Sequence, residues 1–111
     1  MTPMERDIER GLVNMVKRHG GMCLKWVCPG WSGVPDRIVL LPYGRICFVE
    51  LKHPKGGKVS KMQLWWRDKL RALGFAHYII RTPEDIRALE YQILPVERLV
   101  PIERQEEDKC D

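Results

Sequence analysis

Asp36, Glu50 and Lys52 are the residues of this 111-residue chain whose types and spacing could do chemistry. They stand at the two ends of DRIVLLPYGRICFVELK, a stretch whose middle is apolar. Two carboxylates and an ammonium held at the end of an apolar hairpin suit a hard divalent cation, which takes oxygen ligands and carboxylate charge. If residues 42–44 form a three-residue loop, residue 41 faces 45, and counting back places Asp36 opposite Glu50. Opposed residues of an antiparallel pair carry Cβ atoms about 4.5–5.5 Å apart on one face. Side chains alternate along a strand, so Lys52 shares the face of Glu50. Facing carboxylates repel, and Lys52 together with a cation would offset that repulsion. The plainer alternative is a surface salt bridge among Asp36, Lys52 and their neighbours, worth roughly 0–1 kcal/mol.

The surrounding elements must hold these groups. Residues 4–19 read as a helix with Ile8, Leu12, Val13, Met15 and Val16 on one face and Arg6, Arg10, Asn14, Lys17 and Arg18 on the other. Glu5 and Glu9 fall on the apolar side, either at a frayed edge or turned toward the hairpin acids. Gly20-Gly21 closes the helix. MCLKWVC, 22–28, reads as a strand, and PGWSGVP, 29–35, as a loop. RIVLL and RICFVELK are two further strands around Pro42-Tyr43-Gly44. HPKGGKVS, 53–60, reads as a flexible basic loop. Ser60 caps a helix from Lys61 to about Leu73, with Met62, Trp66, Leu70 and Leu73 inward. AHYIIR, 76–81, is a fourth strand. Thr82 caps a last helix that starts at Pro83. The order is α-β-β-β-α-β-α, one α/β domain over residues 1–102, with an acidic, disordered tail at 103–111.

Hydrophobic residues make up 44% of the chain, enough for a core. No apolar run approaches the roughly 18 residues of a membrane span, and the first residues lack the apolar stretch of a secretory signal, so a cytoplasmic protein is expected. The four cysteines include no C-x-x-C pair, which favours free thiols over a metal site. Net charge is +4; the tail holds five acids and two bases, leaving +7 on the other residues and suiting a polyanionic partner. Lys55, Lys58 and Lys61, flanking Gly56-Gly57, are candidate phosphate contacts, as are Lys25 and Arg37. Trp66 is expected in the core. Adjacent Trp65 is expected to be partly buried, packed at an interface or stacked on a base. His77 reads as a strand surface residue, and no histidine is chosen as catalyst.

Pro35-Asp36, thirteen residues, then Glu50-Leu51-Lys52 resembles the motif of the PD-(D/E)xK nucleases. A Glu-bearing first helix ending in Gly-Gly, Lys25-Trp26, Cys28-Pro29-Gly30, Gly33-Val34-Pro35-Asp36-Arg37, Phe48-Val49-Glu50-Leu51-Lys52, Gln63 and Leu73-Gly74-Phe75 extend the likeness to a stand-alone, phage-type VRR-NUC domain. It spans about residues 5–90. The resemblance implies a restriction-endonuclease-like αβββαβα core, with a central mixed sheet flanked by helices. It also implies a Mg²⁺- or Mn²⁺-dependent endonuclease acting on branched DNA, four-way (Holliday) junctions above all, as a homodimer.

Carried over by position, the resemblance makes Asp36 and Glu50 metal-binding acids and Lys52 the catalytic lysine. It makes the Leu51 main-chain carbonyl a further ligand and Gln63 a supporting residue at the start of the second helix. Glu9, with Glu5 as second choice, is the first-helix acid. A cation there would neutralise phosphate charge and lower the pKa of water. Lys52 beside two carboxylates is expected to orient the attacking water rather than take its proton. Release of the 3′ oxygen would leave a 5′ phosphate. The rival readings are a flap- or nick-directed nuclease of the same class and a non-catalytic DNA-binding subunit of a replication or repair complex.

Overall fold

The computed structural model describes residues 3–94. The expected division at residue 102, the extended finish after Leu94, the acidic tail and Cys110 lie outside them. Helix α1 (Pro3–Arg18) leads to strand β1 (Met22–Lys25). Strands β2 (Arg37–Leu41) and β3 (Arg45–Leu51) follow, then α2 (Lys61–Ala72), β4 (Ala76–Ile80) and α3 (Pro83–Gln92). The order matches the expected one. The first strand is shorter than its alternating pattern suggested and stops at Lys25, although Trp26 N–H still donates to the Asp36 carbonyl at 2.9 Å.

Pro42–Gly44 forms a single 3₁₀ turn with Tyr43 at φ 68° and Gly44 at φ 72°. Because the turn spends three residues, Leu41 pairs with Arg45, Val39 with Cys47 and Arg37 with Val49. The chain order β1-β2-β3-β4 is also the sheet order. The first two pairings are antiparallel, whereas β3 and β4 run parallel. A parallel neighbour needs a crossover rather than a tight turn, and α2 supplies it.

Alternation along the strands sends Cys23, Val39, Leu41, Cys47, Val49 and Ile80 to one face. There they meet Ile8, Leu12, Met15 and Val16 of α1, Leu89 of α3 and Ile93 just beyond it. Leu12, Met15 and Val16 are fully buried, so truncating one to alanine removes packed volume at about 2–5 kcal/mol for a leucine or methionine. At its far end α1 is tied to α3 by Glu90, which accepts hydrogen bonds from His19 Nε2 at 2.8 Å and Arg18 Nη2 at 3.3 Å.

The other face carries Phe48, packed with Trp26 and Phe75, and Trp66 of α2 meets Trp26. Two expectations fail on this face. Met62, in the first turn of α2, and Leu73, just beyond its last residue, are exposed, whereas Leu70 in the last turn is buried. His77 is buried rather than on the surface: it pairs with Phe48 in the sheet, and burial pushes its pKa down to about 4. Cys23, Cys28 and Cys47 are free thiols, and burial pushes the Cys47 pKa up to about 12. No helix among the described residues is long and apolar enough to cross a membrane.

Candidate metal and phosphodiester site

Asp36 sits one residue before β2, where the register continues to Glu50. Its Oδ2 accepts the main-chain N–H of Leu51 at 2.7 Å, which pins the exposed carboxylate to the end of β3. Glu50 next door is only 1% exposed, and neither of its carboxylate oxygens receives a hydrogen bond. Burial raises its pKa most, the adjacent Asp36 carboxyl raises it further, and Lys52 acts in the opposite direction; the result is about 9. The Lys52 ammonium is therefore near enough to be felt by the buried acid. A protonated Glu50 can donate to Asp36, whereas an ionised one has two buried oxygens and no donor for either. Added positive charge beside it would favour the ionised form.

An open cleft of about 380 Å³ lies at this end of the sheet, lined by Glu5, Glu9, Lys25, Trp26, Val27, Asp36 and Leu51. Two first-helix acids thus share a cleft with Asp36, which accounts for acids on the apolar side of α1. Glu9 is held there by Arg37, whose Nη2 donates to its Oε2 at 2.9 Å. Among the described residues no three His, Cys, Asp or Glu side chains gather as a cage, so this geometry brings together two carboxylates rather than three.

Arg37 differs from its expected place as a phosphate contact. Its side chain is only 11% exposed, and Nη1 donates to the Cys23 carbonyl at 3.0 Å. Alternation turns it toward α1, where Glu9 neutralises it. Lys25, Lys55, Lys58 and Lys61 are all exposed. Gln63 takes part in a capping box with Ser60: its N–H donates to Ser60 Oγ at 3.1 Å and its Oε1 accepts Ser60 N–H at 2.8 Å. That helix start supports the loop leading to Asp36. Gly33, at φ 81°, lies so close that a Cβ there would come within 2.6 Å of Met62 Cβ.

The segment after Lys52 is more fixed than its glycines and lysines suggested. Arg81 Nη1 donates to the Gly57 carbonyl at 2.6 Å and to the His53 carbonyl at 3.4 Å. Lys52 N–H donates to the Ile80 carbonyl at 3.0 Å, extending the parallel ladder. Gly57 rests on the stem of Lys52: a Cβ there would come within 2.9 Å of His53 N and 3.2 Å of Lys52 Cβ. Arg81 itself is held through its main-chain N–H, which donates to Asp85 Oδ2 at 2.8 Å. Sequence reasoning overlooked Arg81, and it named the cleft-lining Trp26 only within the family likeness, without a role. The bond from Arg81 spans 24 residues, and no local pattern announces it.

The site fits a hard divalent cation. Asp36 lines the cleft with Glu5 and Glu9, whereas Glu50, buried without donors, and Lys52 lie beside Asp36 and are not among the cleft's lining residues. No protein-family model matches the chain. It is 49% identical over 76 residues to the candidate nuclease p44 of Acyrthosiphon pisum secondary endosymbiont phage 1, covering 68% of this chain and 78% of p44. A solved structure described as "VRR_NUC domain" superposes with a TM-score of 0.77 at 26% identity, covering 84% of this chain and all of that one.

Proposed function

The chain belongs to the VRR-NUC nuclease family, with its restriction-endonuclease-like fold, and from that premise we propose that it is a metal-dependent endonuclease of branched DNA. The observation that carries this reading is Glu50, buried beside Asp36 with neither oxygen bonded. Asp36, Glu50 and the Leu51 carbonyl would hold Mg²⁺ or Mn²⁺. Such a cation, when bound, supplies Lewis-acid neutralisation of phosphate charge and makes water more acidic.

The chain's own residues do the rest. Asp36, anchored on Leu51 N–H, presents its carboxylate to the cleft in one orientation. Glu50, buried beside Asp36, would hold its negative charge with a cation beside it, its proton passing to solvent. Lys52 places an ammonium at the same site and orients the attacking water. Glu9 keeps negative charge on the cleft wall under the control of Arg37, and Glu5 lies beside it. Lys25, at the mouth, and Lys55, Lys58 and Lys61 meet phosphates of the incoming strand. Gln63 acts through the helix cap that braces the Asp36 loop.

A four-way junction offers two symmetry-related strands. A homodimer with twofold symmetry would present one cleft to each, so Holliday junctions are the preferred substrate in this reading. The cytoplasm of a bacterial or phage-infected cell is where such DNA would be met. The experiment compares junction, flap, splayed-arm and linear duplex DNA with Mg²⁺, Mn²⁺ or EDTA. Metal-dependent cutting of the junction, lost in Asp36→Ala with DNA binding retained, supports the reading. Cutting of flaps alone would replace the junction by a flap substrate, and DNA binding without any cutting would reduce the protein to a binding subunit.

A further inference from the structure

Away from the acids, the molecule shows an aromatic and basic surface that phosphodiester hydrolysis leaves without a role. Trp31 is 57% exposed and Trp65 42%. Both rings make T-shaped contacts with Trp66, with centroids at 5.6 and 5.4 Å and interplanar angles of 76° and 86°. Trp66 in turn meets Trp26 at 5.7 Å, and Trp26 lines the cleft with Asp36. A continuous aromatic cluster thus runs from the cleft wall to two exposed indoles.

The ring they pack on and the loop that carries Trp31 are held by hydrogen bonds. Trp66 Nε1 donates to the Ser32 carbonyl at 2.9 Å, and Trp31 N–H donates to the Cys28 carbonyl at 3.1 Å. The loop then seats Gly33 against Met62 with no room for a Cβ. Two exposed indoles that share Trp66 as a neighbour form a contiguous aromatic patch, the kind of surface that suits a binding partner. The neighbouring charge indicates which. Lys69 Nζ lies 5.4 Å from the centre of the Trp65 ring, and Lys61 is exposed on the same helix.

We propose that Trp31 and Trp65, with Lys61 and Lys69, form a platform for unpaired nucleotides next to the cleavage cleft. This rests on the nuclease reading only for the presence of a DNA strand there. Every nucleobase offers a flat π-face to an indole, and ammonium groups hold the intervening phosphates. Continuous duplex keeps its base faces stacked on one another, so the platform selects DNA with opened bases, as at a branch point or a single-stranded arm. A twofold contact centred on this surface would set Lys61 and Lys69 close to their own copies. A polyanion is the better complement.

The test uses the full chain in EDTA, so that nothing is cut. Binding of a fluorescein-labelled oligo(dT) of about twelve nucleotides is followed by anisotropy beside a duplex of equal length. Trp31→Ala and Trp65→Ala should each weaken oligo(dT) binding roughly fivefold or more, with duplex binding unchanged and most of the loss restored by phenylalanine. Lys69→Ala should flatten the salt dependence. Unchanged oligo(dT) affinity in the double alanine variant overturns the platform. Sedimentation showing that the double variant loses only self-association assigns the surface to a second copy and overturns it as well. Plasmid nicking by the unmodified protein with Mn²⁺ is scored separately. Nicking without tryptophan-dependent binding sinks the platform alone; tryptophan-dependent binding without nicking upholds the platform and sinks only the nuclease reading.

Discussion

Asp36 reaches across the gap between neighbouring strands to accept the main-chain N–H of Leu51 at 2.7 Å. That bond fixes an exposed carboxylate beside the buried one of Glu50, and the electrostatics of the site follow from the contrast between them. An exposed acid can stay ionised in water, whereas a buried acid without donors pays the full cost of its charge.

The first consequence concerns pH and stability without metal. Glu50 titrates near 9 in the folded chain against about 4.5 in the unfolded one. Between those values the folded state holds more protons, so stability falls as pH rises from about 5 to about 9. Thermal melts of metal-free protein should show that decline. Glu50→Gln should flatten it and raise stability at pH 8 by about 1–3 kcal/mol, because an amide enters the fold neutral without having to take up a proton. A melting curve that is equally pH-dependent in Glu50→Gln would assign the effect to another group.

Asp36→Asn separates chemistry from architecture. The amide oxygen can still accept from Leu51 N–H, so the fold should melt within about 0.5 kcal/mol of the unmodified protein, as surface substitutions do. Metal-dependent cutting should fall at least about a hundredfold, since a ligand charge is lost where reaction charge develops. Initial rates with Mn²⁺, measured beside junction binding in EDTA, read both effects.

Arg81 acts on Lys52 from a distance. Its bond to the Gly57 carbonyl holds the loop that rests on the Lys52 stem. Arg81→Ala should lower kcat about tenfold or more while leaving KM nearly unchanged, because displaced catalytic groups cost rate before they cost binding. Added guanidinium at low concentration should restore part of the rate. Equal loss in kcat and thermal stability, with no rescue, would make Arg81 a purely structural residue.

Arg37 and the exposed lysines should behave as opposites. Arg37→Ala removes the partner of Glu9 inside the fold and should destabilise the chain by about 2 kcal/mol with little change in the salt dependence of DNA binding. Lys55→Ala or Lys58→Ala should leave melting unchanged and each reduce the salt slope by about one. Melting curves and a salt titration on each variant decide this.

What the sequence revealed and what it hid differ in range. The turn at 42–44 and the alternation of β2 and β3 are local, and together they fix the pairing that sets Asp36 against Glu50. Helix caps at Ser60 and Thr82 are equally local, each carrying its capping box within three residues. The fate of Arg37 was hidden because it depends on how α1 lies over the sheet, 28 residues away in sequence from Glu9. Burial of His77 depends on where α2 crosses, and the apolar pattern of α2 overstated how much of that helix is covered. The loop after Lys52 carries the composition of a mobile segment, yet one arginine from the end of another strand holds it.

Diffraction from crystals soaked in Mn²⁺ is the most direct test of the acid pair as a cation site. The account predicts an anomalous peak at about 2.1 Å from oxygens of both Asp36 and Glu50, a distance typical of a hard divalent cation, with the Leu51 carbonyl completing its protein ligands. A peak elsewhere in the molecule, or none at saturating Mn²⁺ with both carboxylates still side by side, would contradict it.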